Sequence, residues 1–126
     1  MNKYFQEAKK FYEEALREFA RAKEGKNEVK ARDACAKVWL AVMKATEALF
    51  VNKGVEESQL PKSYRGVRYF IYKYGDKDLR GLFHIARDVF HIDGYYEGII
   101  NFDEMPEYLD EVKEYMAEVE TRAKGG

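Results

Sequence analysis

Arg80, His84, Arg87 and His91 fall within one twelve-residue stretch of this 126-residue chain, and they include both of its histidines. Wound into an α-helix at ~100° per residue, the four side chains fall within an arc of about 60°. Leu82, Ile85, Ala86, Val89 and Ile92 take the other side, with Phe83 and Phe90 at the boundary. Arginine presents a fixed fork of donors that matches phosphate oxygens, and histidine exchanges a proton near neutral pH. Together they have the means to hold a phosphodiester and to assist its cleavage by general acid–base chemistry. Arg80, His84, Arg87 and His91 are therefore the candidate catalytic set. The same pattern also describes the solvated outer face of an ordinary amphipathic helix, in which Asp88, four residues after His84, pairs with it.

A second constellation lies upstream, where Lys62, Arg65, Arg68, Tyr69, Tyr72 and Lys73 interleave cations with aromatic rings. Single-stranded nucleic acid suits such a surface, because bases stack on rings while phosphates meet cations. A protein interface suits it as well, since tyrosine and arginine dominate interface hot spots. Tyr95 and Tyr96 directly follow the histidine stretch and either form a mouth to it or pack as a loop. No two histidines stand three or four residues apart, so no metal site is expected. Cys35 sits in an alanine-rich apolar stretch, where a thiol acts as a small hydrophobe. Phosphate loops and dinucleotide fingerprints are absent, and no cofactor is expected.

Five helices must position these residues. The first is expected over Asn2 to Glu24, where Tyr4, Ala8, Phe11, Ala15, Phe19 and Ala22 alternate at four and three. Gly25 offers a left-handed C-cap and Asn27 the next N-cap. The second helix, Glu28 to Asn52, carries Ala31, Ala34, Val38, Ala41, Ala45 and Ala48 on one stripe and ends at Gly54. A short connection between two long helices makes an antiparallel hairpin. Pro61 is expected to open a third helix, Lys62 to Tyr74, and Asp76 or Asp78 to cap a fourth, Lys77 to Ile92, which Asp93-Gly94 stops. Tyr95 to Phe102 reads as an apolar loop folded over the bundle. The fifth helix is expected from an Asp103 N-cap to about Arg122, with Tyr108, Leu109, Val112, Tyr115, Met116 and Val119 inward.

Composition agrees with one all-α domain over residues 1–126. Hydrophobic residues make up 46%, enough for a core, while two prolines and nine glycines are too few for a turn-rich β fold. Uncharged stretches are too short to span a membrane, and the opening residues lack a leader pattern. With a single cysteine, this points to a cytoplasmic protein, and the 36% charged content resembles thermophile usage. Net charge is −1, yet it is unevenly spread: residues 61–91 hold seven basic against three acidic side chains, and residues 97–126 hold nine acidic against three basic. A positive patch facing away from a negative one would favour anionic ligands or self-association.

The long hairpin with its second helix ARDACAKVWLAVMKATEALF, the short third helix, the run LRGLFHIARDVFHIDGYYEG and the acidic closing helix resemble the HEPN superfamily (higher eukaryotes and prokaryotes nucleotide-binding), in particular its small stand-alone members. The resemblance covers roughly Tyr4 to Val119. It implies an up-and-down bundle of four or five helices, a homodimer, and a nucleotidyltransferase-type partner protein in a toxin–antitoxin pair. Active members are metal-independent ribonucleases that carry an arginine, four to six residues and then a histidine. Here Arg80 and His84, and Arg87 and His91, have three residues between them, and Arg80 to His91 has ten. The resemblance therefore implies a non-catalytic member that binds a protein partner or an RNA- or nucleotide-like anion. A ribonuclease built on the stripe is the alternative.

Overall fold

The computed structural model describes residues 2–124; Met1, Gly125 and Gly126 lie outside the described residues. An antiparallel hairpin of α1, Lys3–Gly25, and α2, Glu28–Asn52, forms its frame. Asn2 caps α1 by accepting the Phe5 N–H, and Asn27 caps α2 by accepting that of Lys30. The expected glycine cap between them is displaced by one residue. Gly25 stays helical, and Lys26 takes the left-handed conformation at φ 50°, because the Asn27 N–H closes the turn onto the Ala22 carbonyl at 2.9 Å.

Alanine sets how closely the hairpin packs. Ala8, Ala15 and Ala22 of α1 and Ala31, Ala34, Ala45 and Ala48 of α2 are fully buried, with Phe5, Phe19, Val38 and Leu49 filling the spaces between them. Small side chains at successive contact positions let the backbones approach, and the aromatics then exclude water from the remaining volume. α2 packs against α1 and against every later helix as well.

The remaining helices are α3, Tyr64–Tyr74, α4, Lys77–Ala86, a π-helical continuation over Arg87–Tyr96, and α5, Met105–Lys124. A 3-10 turn, Glu57–Gln59, joins α2 to α3. The chain is thus all-α, as expected. α3 begins two residues later than its proline implies: Leu60 is extended before Pro61, and Ser63 caps the first turn through its bond from the Gly66 N–H. Asp76, of the two aspartates considered, caps α4 by accepting the Leu79 N–H at 2.9 Å. Asn101 rather than Asp103 starts the last helix, since its side chain accepts the Asp103 and Glu104 N–H groups and its carbonyl that of Met105. Tyr115 on α5 is fully buried, and its hydroxyl meets that of Thr46 at 2.5 Å, which in turn donates to the Val42 carbonyl. Arg122, near the end of α5, pairs with Asp76 and Glu118.

The largest departure from expectation is at Asp93-Gly94, which does not stop the fourth helix. The helix widens after Ala86 and runs to Tyr96. Two contacts from α2 hold this wider form. Gly94 is buried against Cys35 so closely that an added Cβ would lie 2.5 Å from the sulfur. Arg32 closes the far end by donating to the Tyr95 and Tyr96 carbonyls at 2.7–3.1 Å. These are carbonyls that a helix end leaves unsatisfied. Gly98, at φ +70°, turns the chain away beneath the same guanidinium. The apolar loop expected over Tyr95 to Phe102 is therefore shorter, because the two tyrosines belong to the helix.

Gly94→Ala is expected to destabilise the fold by ~1–3 kcal/mol through overpacking. Cys35→Ala in the same chain is expected to recover part of the loss, because it removes the sulfur but leaves the Cys35 Cβ. Thermal unfolding of the single and double variants measures both.

Candidate functional site

The cationic cluster begins on α3, where Tyr64, Arg68 and Tyr72 stand at successive i+4 positions and therefore share one side. α4 and its π-helical continuation bring the stripe residues against that side. The Arg80 guanidinium lies 4.9 Å from the Tyr72 ring, and the Arg87 guanidinium lies 4.0 Å from the Tyr64 ring. Both distances suit a cation over a π face, and the Arg87 contact is the closer. The Arg87 Nε is buried and has no hydrogen-bond partner in the protein. Tyr64 is itself held parallel to Phe83 at 6.3 Å, so a core ring fixes the platform on which Arg87 rests.

His84 is half-buried with its ring edge-on to Phe83. Burial holds its pKa below the ordinary 6.5, and the charges of Arg68, Arg87 and Arg80 push the same way. Asp88 opposes them and is outweighed. The simple His84–Asp88 pair considered from the sequence does not form: Asp88 is exposed and makes no hydrogen bond to the ring. His91 leaves the stripe. A π-helix turns less per residue than an α-helix, so the 100° projection fails beyond Ala86. In the wider helix His91 stacks on Trp39 at 4.9 Å and 20°, with Tyr96 edge-on at 4.9 Å on another side. Its pKa is also lowered, by burial first and then by the Arg87 charge.

Of the residues singled out by sequence, the fold therefore gathers Arg68, Tyr72, Arg80, His84 and Arg87 into one cluster and places His91 and Tyr96 beside it. Arg65, Tyr69 and Lys73 are exposed on α3 and make no hydrogen bond, ion pair or ring contact with the cluster. Tyr95 packs edge-on against Tyr96, and its carbonyl is held by Arg32. Sequence reasoning missed Trp39 and Tyr64 as members of the site. Tyr64 was detectable from its i+4 spacing to Arg68, whereas Trp39 carries no local signal, being 52 residues from the histidine it stacks on.

Among the described residues, none of Arg68, Arg80 and Arg87 forms an ion pair, whereas Arg122, Lys37 and Lys44 each pair with two carboxylates. Three arginines without carboxylate partners, two of them over tyrosine rings, make a concentrated positive site. Burial and the neighbouring arginine charge favour the neutral form of His84 within it and of His91 beside it. Among the described residues no group of three or more His, Cys, Asp or Glu side chains is placed to hold a metal ion, and no helix is long and apolar enough to cross a membrane.

A family model described as the archaeal PaREP1/PaREP8 family matches residues 10–116, a span that includes every member of the cluster. The chain belongs to the archaeal PaREP1/PaREP8 family. No curated protein and no solved structure matches it. In this PaREP1/PaREP8 protein the matched span carries the whole cluster, from Tyr64 to Arg87.

The two histidines give a pH dependence whose sign follows from their lowered values. Between each folded-state pKa and 6.5 the unfolded chain binds more protons than the folded one, so stability rises with pH across that window. Chemical denaturation is expected to give constant stability from these groups above about pH 6.5 and a falling contribution as the pH drops through the folded values. NMR titration is expected to place both ring midpoints below 6.5, with the His84 midpoint moving up in Arg68→Ala.

Proposed function

We propose that this protein is a non-catalytic, HEPN-like helical bundle whose α3–α4 face binds an RNA- or nucleotide-like anion. The observation that carries the reading is the set of three arginines without ion-pair partners, two of them over tyrosine rings and one with a buried, unpartnered Nε. A guanidinium left unpaired and partly desolvated gains most from a phosphate, which accepts several of its N–H groups at once. The rings beside it offer faces on which a base can stack. Both ends of a nucleotide are thereby addressed by neighbouring residues.

Binding is favoured over cleavage by the state of the histidines. Acid–base cleavage of a phosphodiester needs one group to accept a proton and another to donate one. Burial disfavours the protonated donor in both, helped by the arginines around His84 and by the Arg87 charge near His91. The alternative, a metal-independent ribonuclease, draws on the lowered pKa of His84 beside three cations, which favours the neutral form that a general base requires. The exposed outer face of α3, with Arg65, Tyr69 and Lys73, suits the protein partner that the HEPN resemblance implies.

Fluorescence anisotropy with a labelled single-stranded RNA, alongside competition by mononucleotides, tests the proposal. Arg87→Ala is expected to weaken binding by roughly 10- to 100-fold, the scale of one lost charge-assisted contact. Tyr69→Ala, outside the cluster, should bind as the parent does. Equal affinity of Arg87→Ala and the parent would sink the proposal. Cleavage of the same RNA by the parent and its absence in His84→Ala would select the ribonuclease.

A further inference from the structure

We infer that the groove between α1 and α5, on a different face from the cationic cluster, receives a second copy of this chain, related by a two-fold axis. This goes beyond the anion-binding reading and does not rest on it. The groove encloses about 730 Å³, and Phe5, Phe19, Met105, Leu109 and Met116 line it, with Leu16 standing on its wall. α1 and α5 both pack on α2 but only touch one another lightly, so the space between them is unfilled. Leu16 is 39% exposed, the one large aliphatic side chain of the groove to reach solvent to that extent among the described residues.

The occupant is argued from the order of charges along the rim. α1 and α5 run antiparallel, because Asn2 at the start of α1 bonds Ala48 near the end of α2, and Lys53 just beyond α2 bonds the Arg122 carbonyl near the end of α5. The Tyr12 hydroxyl donates to the Leu109 carbonyl at 2.8 Å, and this bond marks a common level on the two helices. At ~1.5 Å per residue, Lys9 and Lys113 then stand about 5 Å from that level toward the start of α1, while Glu13 and Asp110 straddle it. Two lysines are thus followed by two carboxylates along one line. Rotation by 180° about an axis midway between the pairs reverses the order and sets each lysine pair of one copy against the carboxylate pair of the other. A surface that is its own complement under a two-fold rotation fits an isologous dimer.

An independent check comes from the apolar residues. The rim charges place the axis about 2.6 Å from the Tyr12–Leu109 level, and the same rotation carries Leu16 to about 11 Å from it. Phe5 and Met116 lie about 10.5 Å from that level on the same side. Charge pairing alone therefore drops the exposed leucine of each copy onto the apolar floor of the other. The paired faces run about 27 Å along the helices and two helix widths across, roughly 540 Å² in projection, and side-chain relief raises this toward the ~800 Å² per partner of a stable interface. No residue of the cationic cluster lines the groove, so the pairing leaves both anion sites open.

Sedimentation velocity over a wide concentration range, with the intact protein, tests this. The parent is expected to sediment at twice the mass of the chain. Leu16→Glu is expected to raise the dissociation constant about tenfold or more, and the pair Lys9→Glu and Lys113→Glu to do the same. Adding Glu13→Lys and Asp110→Lys to that pair restores opposite charges in the reversed order and is expected to restore the dimer, which a merely misfolded variant cannot do. Circular dichroism confirms that each variant is helical. A parent that stays monomeric at every concentration overturns the inference, as does a dimer unmoved by both Leu16→Glu and the lysine reversals. RNA affinity is measured on Leu16→Glu as well: retention by the monomer supports separate faces, and loss together with the dimer overturns them.

Discussion

The close approach of α1 to α2 along an alanine seam is the constraint on which the rest of this bundle depends. Alanine contributes little apolar area of its own, but it loses no side-chain entropy on burial and lets neighbouring aromatics do the filling. With Ala31, Ala34, Ala45 and Ala48 fully buried, α2 becomes a thin central rod on which the later helices converge. A larger residue at any of these positions would push α1 outward and disturb both the groove beside it and the helices packed across from it.

The same logic governs the widened helix. Its hydrogen-bond pattern is less common than the α form, and it occurs frequently at functional sites. Here its cause is visible in two contacts from α2, the Cys35 sulfur seated on Gly94 and the Arg32 fork on the terminal carbonyls. The consequence is chemical as well as geometric. Widening removes His91 from the arginine row and turns it into an aromatic plate between Trp39 and Tyr96, while His84 stays among the arginines. A stripe of four similar groups in sequence becomes two environments in space.

Much of the architecture was readable from residue order alone. Four–three spacing of apolar side chains located five helices, and α2 begins and ends where its asparagine cap and its following glycine imply. Local chemistry failed where two signals competed. Pro61 was a weaker start signal than the Ser63 hydroxyl, and Asp103 a weaker one than Asn101, because in each case the better-placed side chain accepted the early N–H groups. Asp93-Gly94 misled for a different reason. A glycine that permits a turn also permits close packing, and only the position of Cys35 decides between the two. Of the site, the arginine row and its α3 neighbours were legible, since spacing on a helix is a local property. The Trp39–His91 stack was not, because it joins elements that only the folded chain brings together.

The Cys35–Gly94 contact also makes the thiol a built-in gauge of local motion. Burial alone pushes its pKa up to about 12, so in the closed protein it is both covered and almost wholly protonated. Reaction with an alkylating or oxidising reagent requires the thiolate and a path to it, and both arrive only when the widened helix lifts from α2. The rate of thiol modification therefore counts openings of the segment that carries His91. Because the sulfur is present in the natural chain, that breathing can be timed without introducing a label.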